Sequence, residues 1–174
     1  MKIMGAISIC ICVAAGILAA SPSALADDCA QASEAAVAQA KVPHSVTHVM
    51  AAPGKPPVTI EMIFLVDKAY ARTNGNWALM PWSVRDQIDT ITTSRERADK
   101  TRHTCQKLSG QSIDGQAASL FIVKSETNGK VSEARMWISD SSGLPLKTEI
   151  HLGGGADVTD EFRYANIQAP PGAR

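Results

Sequence analysis

Segments in which apolar and polar residues alternate make up most of the chain from residue 45 onward. A period of two residues is typical of strands with one buried face, and it is clearest in segments 58–66, 131–139 and 144–152. Residue pairs that favour tight turns, such as Asn74-Gly75 and Asp114-Gly115, stand between such segments. The predicted strands are 45–51, 58–66, 67–73, 77–80, 103–113, 118–123, 131–139, 144–152 and 158–167.

Two segments have helical patterns instead. Segment 28–41 is rich in alanine, which has the highest helix propensity, and Pro43 stops it. In segment 83–93 Ser83 can serve as the N-cap. The apolar residues of this second segment recur with helical spacing at Val84, Ile88 and Ile91. Strands joined by short turns usually pair with their neighbours, so we predict an α+β protein: a curved antiparallel meander of seven or more strands with two short helices against it.

The N-terminus has the features of a bacterial secretion signal. Lys2 precedes an almost unbroken apolar run, and Ala24-Leu25-Ala26 has the small-x-small pattern of a signal-peptidase site. An uncleaved membrane anchor is the alternative, since about 20 apolar residues cross a bilayer. The preferred reading gives a signal peptide at residues 1–26, cleavage between Ala26 and Asp27, and a single periplasmic domain at residues 27–174 that does not span the membrane.

The predicted mature domain contains two cysteines, Cys29 and Cys105, which lie 76 positions apart. In an oxidising envelope compartment a lone pair of cysteines most simply forms a disulfide. A redox role is the alternative, but catalytic disulfide chemistry usually uses a C-x-x-C motif, which the chain lacks. We therefore predict a structural disulfide between these two residues.

The charge balance argues against nucleic acid as a partner. The chain has 17 basic and 17 acidic residues, whereas binding to phosphates needs a concentrated positive face. The one basic cluster, from Arg95 to Arg102, is interrupted by Glu96 and Asp99. Such an alternation of sign is typical of a solvated surface.

No residue pattern points to catalysis or to a metal. His44 and His48 are four residues apart on a predicted strand, too far to share one ion, and the chain has no H-E-x-x-H motif. Segment 110–115 contains a serine between glycines but departs from the spacing of a nucleophile elbow. We therefore predict no enzymatic activity, no cofactor and no metal.

The order of elements and the last third of the chain resemble the LolA-like superfamily of envelope proteins. That family pairs a large curved antiparallel half-barrel with helices that cover its open side, and it includes lipoprotein carriers, a periplasmic sensor of envelope stress and lipid-binding mycobacterial lipoproteins. The resemblance implies the LolA-like fold for residues 27–174. The residues that carry it are Trp137-Ile138, Asp140, Gly143-Leu144-Pro145-Leu146-Lys147, the aromatic pair Phe162 and Tyr164, and Asn166-Ile167.

A half-barrel can hold an acyl chain if its concave face is apolar. The candidate lining residues are Val58, Ile60, Met62, Phe64, Trp77, Leu120, Ile122, Met136 and Ile138. Trp77 and Trp82 bracket Met80-Pro81 just before the second predicted helix and either form an aromatic lip at the cavity or anchor a loop. The same apolar residues are equally compatible with an ordinary core packed against the helices.

Two functional hypotheses follow. The first is a periplasmic protein that binds an acyl chain, a lipid or an acylated lipoprotein in a half-barrel cavity covered by the helix at 83–93, with a role in envelope lipid or lipoprotein trafficking. The alternative is a non-enzymatic interaction or sensor module with a filled core and no ligand. The oligomeric state stays open.

Overall fold

The fold is an open antiparallel sheet with a helix packed on one face. The computed structural model describes residues 22–81, 86, 88, 102–127, 130–152 and 155–173. The elements are α1 (Pro22–Ala40), β1 (His44–Ala51), β2 (Val58–Phe64), β3 (Ala69–Thr73), β4 (Asn76–Leu79), β5 (Arg102–Ile113), β6 (Gln116–Thr127), β7 (Lys130–Ser139), β8 (Pro145–His151) and β9 (Asp157–Arg163).

The nine strands form one sheet in the order β4-β3-β2-β1-β9-β8-β7-β6-β5. It consists of two meanders, β1 to β4 and β5 to β9, and neighbours in sequence pair within each, as predicted. The first and last strands, β1 and β9, pair antiparallel and join the two meanders. As a result β4 and β5, which follow one another in sequence, lie at opposite edges of the sheet.

Two hairpin turns have the geometry that their sequences predict. The turn between β3 and β4 has φ values of 53° at Asn74 and 82° at Gly75, and the turn between β5 and β6 has 49° at Asp114 and 79° at Gly115. A two-residue turn with positive φ at both positions matches the twist of the strands it joins, and Asn, Asp and Gly tolerate that conformation. A third residue pair that favours such a turn, Asn128-Gly129, lies outside the described residues.

Some strands are shorter than the sequence pattern predicts. Strand β2 ends at Phe64 because the Leu65 N–H donates to the Lys68 carbonyl over 2.7 Å and closes a tight turn. This turn leaves Val66, predicted as part of the strand, 71% exposed. Strand β9 ends at Arg163, and Asn166 then has a left-handed φ of 57° that is incompatible with an extended chain.

Helix α1 begins at Pro22 rather than at the predicted Asp28 and ends near the predicted position. Its small side chains Ala32 and Ala35 are both 5% exposed and pack directly on Phe121 of β6 and Ile138 of β7. Alanine at these positions lets the helix backbone lie close to the sheet. The second predicted helix, apart from Asp86 and Ile88, lies outside the described residues.

The disulfide predicted from the sequence is the one that the structure contains. It joins Cys29 of α1 to Cys105 of β5, with the two Cα atoms 5.2 Å apart. Two residues after Cys105, the backbone N–H of Lys107 donates a hydrogen bond of 3.0 Å to the carboxylate of Asp28. The helix is therefore attached to the edge strand covalently and by a polar contact.

The core has two parts on the same face of the sheet. One is the contact of α1 with β6 and β7, to which Val123 and Met136 add partly buried side chains. The other consists of Val46, Phe64 and Ala69 on β1, β2 and β3. Partly buried residues packed against this second part are Met62, Met80 and Phe162.

Candidate functional site

The strand register arranges the side chains of one face in rows that cross the sheet. We call the face on which α1 packs the inner face and the opposite one the outer face. Directly paired residues of antiparallel strands point to the same side, so each ladder passes a row on to the next strand. One row, the apolar row, contains Val58, Met50, Val158, Ile150, Ala134, Val123 and Cys105. At about 4.8 Å per strand the row extends for roughly 29 Å.

The neighbouring row crosses the middle of the same strands and differs in having polar groups at its centre. This central row contains Ile60, His48, Asp160, Thr148, Met136, Phe121 and Lys107. Its polar residues are thus surrounded by apolar side chains of the same face.

Charged side chains are segregated between the two faces. Among the strand residues whose side chains are described, the inner face carries two acidic or basic groups, Asp160 and Lys107. The outer face of the same strands is densely charged and paired, for example between Arg72 and Glu61 at 2.8 Å. Its acidic and basic residues include Glu61, Arg72, Lys124, Glu133, Arg135, Lys147, Glu149, Asp157, Glu161 and Arg163. Most of the charge on the described strand residues therefore lies on the outer face.

Lys107 is at the edge of the inner face and already has partners. Its Nζ donates to Gln31 of α1 over 3.2 Å and lies 5.4 Å from the centre of the Phe121 ring. A cation over an aromatic face is attracted by the ring quadrupole. Lys107 thus helps to hold the helix, at the far end of the central row from Asp160.

His48 and Asp160 form a polar pair in the centre of the inner face. They are directly opposite on β1 and β9, and His48 Nδ1 lies 2.7 Å from a carboxylate oxygen of Asp160. The two side chains are 22% and 20% exposed. The pair is thus half-buried and still accessible from the inner side.

Grooves lined by the described residues adjoin the sheet, and two of them lie next to its inner face and its end. A groove of about 410 Å³ runs between α1 and the ends of β6 and β7, with Glu34, Ala38, Phe121 and Ile138 in its wall. A larger one of about 820 Å³ lies at the end of the sheet, where the β5–β6 turn, the β7–β8 turn and residues 161–165 meet. Its lining is mixed, with serines and charged groups beside Leu144 and Leu146. Of the predicted lining residues, these grooves include Ile138.

Comparison with known proteins identifies solved structures that have a similar fold. No protein-family model and no curated protein sequence matches the chain. Among solved structures, MucB superposes with a TM-score of 0.51 at 13% identity, over 83% of this chain and 61% of MucB. LprF from Mycobacterium bovis gives 0.47 at 12% identity over 86% and 99% of the two chains. A LolA superfamily protein from Nitrosomonas europaea gives 0.28 at 11% identity over 84% and 94%. The chain has the LolA-like fold. It spans about three fifths of the length of MucB.

The register of this LolA-like sheet separates the predicted lining residues into two groups. Trp77, Leu120 and Ile122 lie on the outer face, because Trp77 pairs with Arg72, Leu120 with Trp137 and Ile122 with Arg135. The structure therefore does not bring them together with the others. The residues that share the inner face are Val58, Ile60, Met62, Phe64, Met136 and Ile138.

Strand β6 explains the split. It is apolar on both faces, and its sequence gives no sign of which face α1 covers. Pairing of Phe121 with Met136 shows that the odd-numbered residues of β6 face inward. Trp137, on the outer face, instead has Lys147 Nζ at 5.6 Å from its ring centre.

Three of the residues that carry the LolA-like resemblance, Gly143, Pro145 and Tyr164, meet at one corner of the sheet. Gly143 has a positive φ of 69° in the turn before β8, and Pro145, the first residue of β8, is fully buried. The hydroxyl of Tyr164 donates to the Pro145 carbonyl. Burial raises the pKa of this phenol well above its usual range, so it stays a donor. These contacts give the corner a structural role.

His44 lies beside this corner in an aromatic environment. It is 2% exposed, its ring stacks on Phe64 with centroids 4.9 Å apart, and its Nδ1 lies 2.8 Å from the Val42 carbonyl. Burial lowers the pKa of His44, and the hydrogen bond to Val42 opposes that shift in part. His44 is therefore a neutral component of the core.

Other functional sites receive no support from the described residues. Within them no group of three His, Cys, Asp or Glu side chains is arranged to hold a metal ion. None of the helices within the described part of the chain is both long and apolar enough for a membrane span. The sequence pattern did not predict the polar pair His48–Asp160. The available signal was His48 itself, a polar residue between Val46 and Met50 on the apolar side of its strand.

Proposed function

We propose that this protein is exported to the bacterial envelope and binds a hydrophobic ligand, either an acyl chain or a lipid, on the inner face of its sheet. The observation that supports this most is the apolar row, in which none of the seven side chains is charged. At the open end of this row Val58 is 54% exposed and Met50 is 42% exposed. Large apolar groups on an accessible face are typical of a ligand-binding surface.

The driving force would be removal of alkyl groups from water, worth about 0.8 kcal/mol for each methylene that the ligand buries. Cys105 and Val123 at one end of the row pack under α1, so the part open to an extended chain runs from Val58 to Ile150, roughly 14 Å. Methionines such as Met50 and Met136 can adapt to chains of different shape, because the thioether side chain is flexible and polarisable. The same proposal includes two further features. The sheet curves into a half-barrel, and segment 83–93 forms a movable cover over the ligand.

Export rests on the N-terminal signal and on the disulfide. The predicted cleavage between Ala26 and Asp27 would release the domain 27–174 into the periplasm, where a Cys29–Cys105 disulfide persists. The finished protein would then meet lipids and acylated lipoproteins on their way between membranes. N-terminal sequencing of the protein from a periplasmic extract tests this part directly.

The second candidate is an interaction or sensor module with a filled core and no ligand. The observation in its favour is the packing of Ala32 and Ala35 on Phe121 and Ile138, which fills the half of the inner face under α1. Such a protein would bind partner proteins at its rim. MucB has been solved in complex with MucA, and that partner is a property of MucB.

A matched pair of variants separates the two candidates. Val58 and Val131 are exposed to similar extents, 54% and 59%, but Val58 faces inward whereas Val131 pairs with Glu126 on the outer face. Displacement of a fluorescent fatty acid should be weakened about tenfold by Val58→Asp, because the bound chain would desolvate the carboxylate. Val131→Asp should bind as wild type does.

Lipid extraction gives an independent readout. Protein purified gently from the periplasm and extracted with organic solvent should release a stoichiometric lipid in the mass spectrometer. A clean extract together with no uptake of the fluorescent fatty acid would exclude ligand binding and favour the interaction module. Equal loss of binding in both Val→Asp variants would place the site elsewhere.

A further inference from the structure

The apolar inner face has a single polar pair of side chains at its centre, within the described residues. His48 and Asp160 are both about one fifth exposed, and their neighbours along the central row are Ile60 on one side and Thr148 on the other. A buried or half-buried polar group that has no structural task costs free energy, so its presence on a surface for alkyl chains requires an explanation.

The hydrogen bond to Asp160 fixes what His48 can offer to a ligand. A carboxylate only accepts hydrogen bonds, so the hydrogen of the neutral imidazole lies on Nδ1, which donates to Asp160 over 2.7 Å. Nε2 is then an acceptor. None of the hydrogen bonds between described residues engages Nε2, so this atom is available to a donor from a bound molecule.

The charges around the pair determine which donor fits. Asp160 carries a negative charge that disfavours a carboxylate or phosphate. Among the described side chains of this face, the basic group is Lys107, which lies four strands away, roughly 19 Å. An ammonium group would lose its hydration on a half-buried face, and one of the two Asp160 carboxylate oxygens is already bonded to His48. A neutral hydroxyl can donate to Nε2 without either penalty.

We propose that the His48–Asp160 pair recognises the hydroxyl group of an uncharged lipid, such as a fatty alcohol or a monoacylglycerol, whose chain lies against the apolar row. This proposal rests on the proposed function and specifies its ligand class. Nε2 of His48 accepts the hydroxyl hydrogen, Asp160 holds the imidazole in the required tautomer and orientation, and the adjacent apolar row covers the alkyl chain.

The experiment compares oleyl alcohol with oleyl methyl ether, oleate and oleylamine at pH 8. The ether keeps the oxygen and the chain but lacks the donor. Wild-type protein should bind the alcohol roughly fivefold more tightly than the ether, the effect of one net hydrogen bond, and oleate most weakly. In His48→Phe the preference for the alcohol should disappear while affinity for the ether is retained.

The outer face provides a matched control. His151 and Asp157 form a pair with the same 2.7 Å separation but lie on the outer face, with side chains 50% and 58% exposed. His151→Phe should leave the alcohol-to-ether ratio as in wild type. Loss of the ratio in this variant would mean that the effect is not specific to the inner face, and the proposal would be abandoned.

The outcomes keep this proposal apart from the proposed function. If wild type binds alcohol and ether equally, the hydroxyl site is refuted and the hydrophobic ligand face stands. If oleate or oleylamine binds more tightly than the alcohol, the assigned ligand class is refuted. If none of the probes binds, the proposed function itself fails. The comparison of ligands on wild type needs no variant, so it holds even where His48→Phe does not fold.

Discussion

Removal of the disulfide between α1 and β5 should lower the free energy of unfolding by about 4 to 5 kcal/mol. Cys29 and Cys105 are 76 positions apart. In the chain-entropy description a cross-link that closes a loop of this length removes about 15 cal/mol/K from the unfolded chain, or about 4.5 kcal/mol at 25 °C. The effect arises in the unfolded state, so the folded protein should keep its structure.

Contacts within the folded protein support that expectation. Without the disulfide α1 still buries Ala32 and Ala35 on the sheet, and Asp28 and Gln31 still accept hydrogen bonds from Lys107. The double variant Cys29→Ala/Cys105→Ala should therefore show the circular dichroism of wild type. It should also retain its affinity for the fluorescent fatty acid.

Urea denaturation is the assay, with reduced and alkylated wild type beside the double variant. Both should lose a similar free energy, and the slope of the free energy against urea should increase because an unlinked unfolded chain exposes more surface. A loss below about 1 kcal/mol, or an unchanged slope, would refute the argument from chain entropy. Loss of folded structure without denaturant would show instead that the disulfide is needed to hold α1 on the sheet.

Two further predictions concern the core. Burial lowers the pKa of His44, so the unfolded chain binds a proton more readily than the folded protein as the pH falls through the ordinary value of 6.5. The free energy of unfolding in urea titrations should therefore decrease from pH 7.5 to 5.5, and it should decrease less in His44→Phe. An equal decrease in that variant would contradict a neutral, buried His44. Phe121→Ala should lower the free energy of unfolding by about 3 to 5 kcal/mol, because Phe121 is 2% exposed under α1. Leu108→Ala, at an outer position that is 38% exposed, should change it by no more than about 0.5 kcal/mol. Similar losses in both variants would show that α1 does not bury Phe121.

Local chemistry was sufficient to predict most of the elements. The alternation in segments such as 131–139 and the pairs Asn74-Gly75 and Asp114-Gly115 depend on residues close in sequence, and strand propensity and turn geometry act over that range. The same is true of the alanine-rich helix, apart from its first turns. The disulfide could not be predicted from local sequence alone. The N-terminal signal indicated an oxidising compartment, and in such a compartment Cys29 and Cys105 are expected to form a disulfide.

The two-sided strand β6 shows why the site was only partly predictable. Leu120 and Ile122 alternate with Phe121 and Val123, so the period of two is visible but the inward face is not. A shift by one residue exchanges the faces, and only the partner strand fixes the register. The pairing of β1 with β9 is a second case, because it joins residues more than 100 positions apart, as with His48 and Asp160, 112 positions apart.

That pairing also determines where a ligand site can form. Strands β1 and β9 are at the centre of the sheet because each ends one meander, so the first meander supplies His48, Met50 and Val58 and the second supplies Asp160 and Val158. Neither meander alone contains the polar pair or the whole apolar row. A lipid lying across this junction would contact both halves and strengthen their pairing, since a ligand that binds only the folded state stabilises it. Ligand binding should therefore raise the unfolding temperature of the whole domain rather than of one half, and a transition that splits into two steps on addition of oleyl alcohol would contradict a site shared between the meanders.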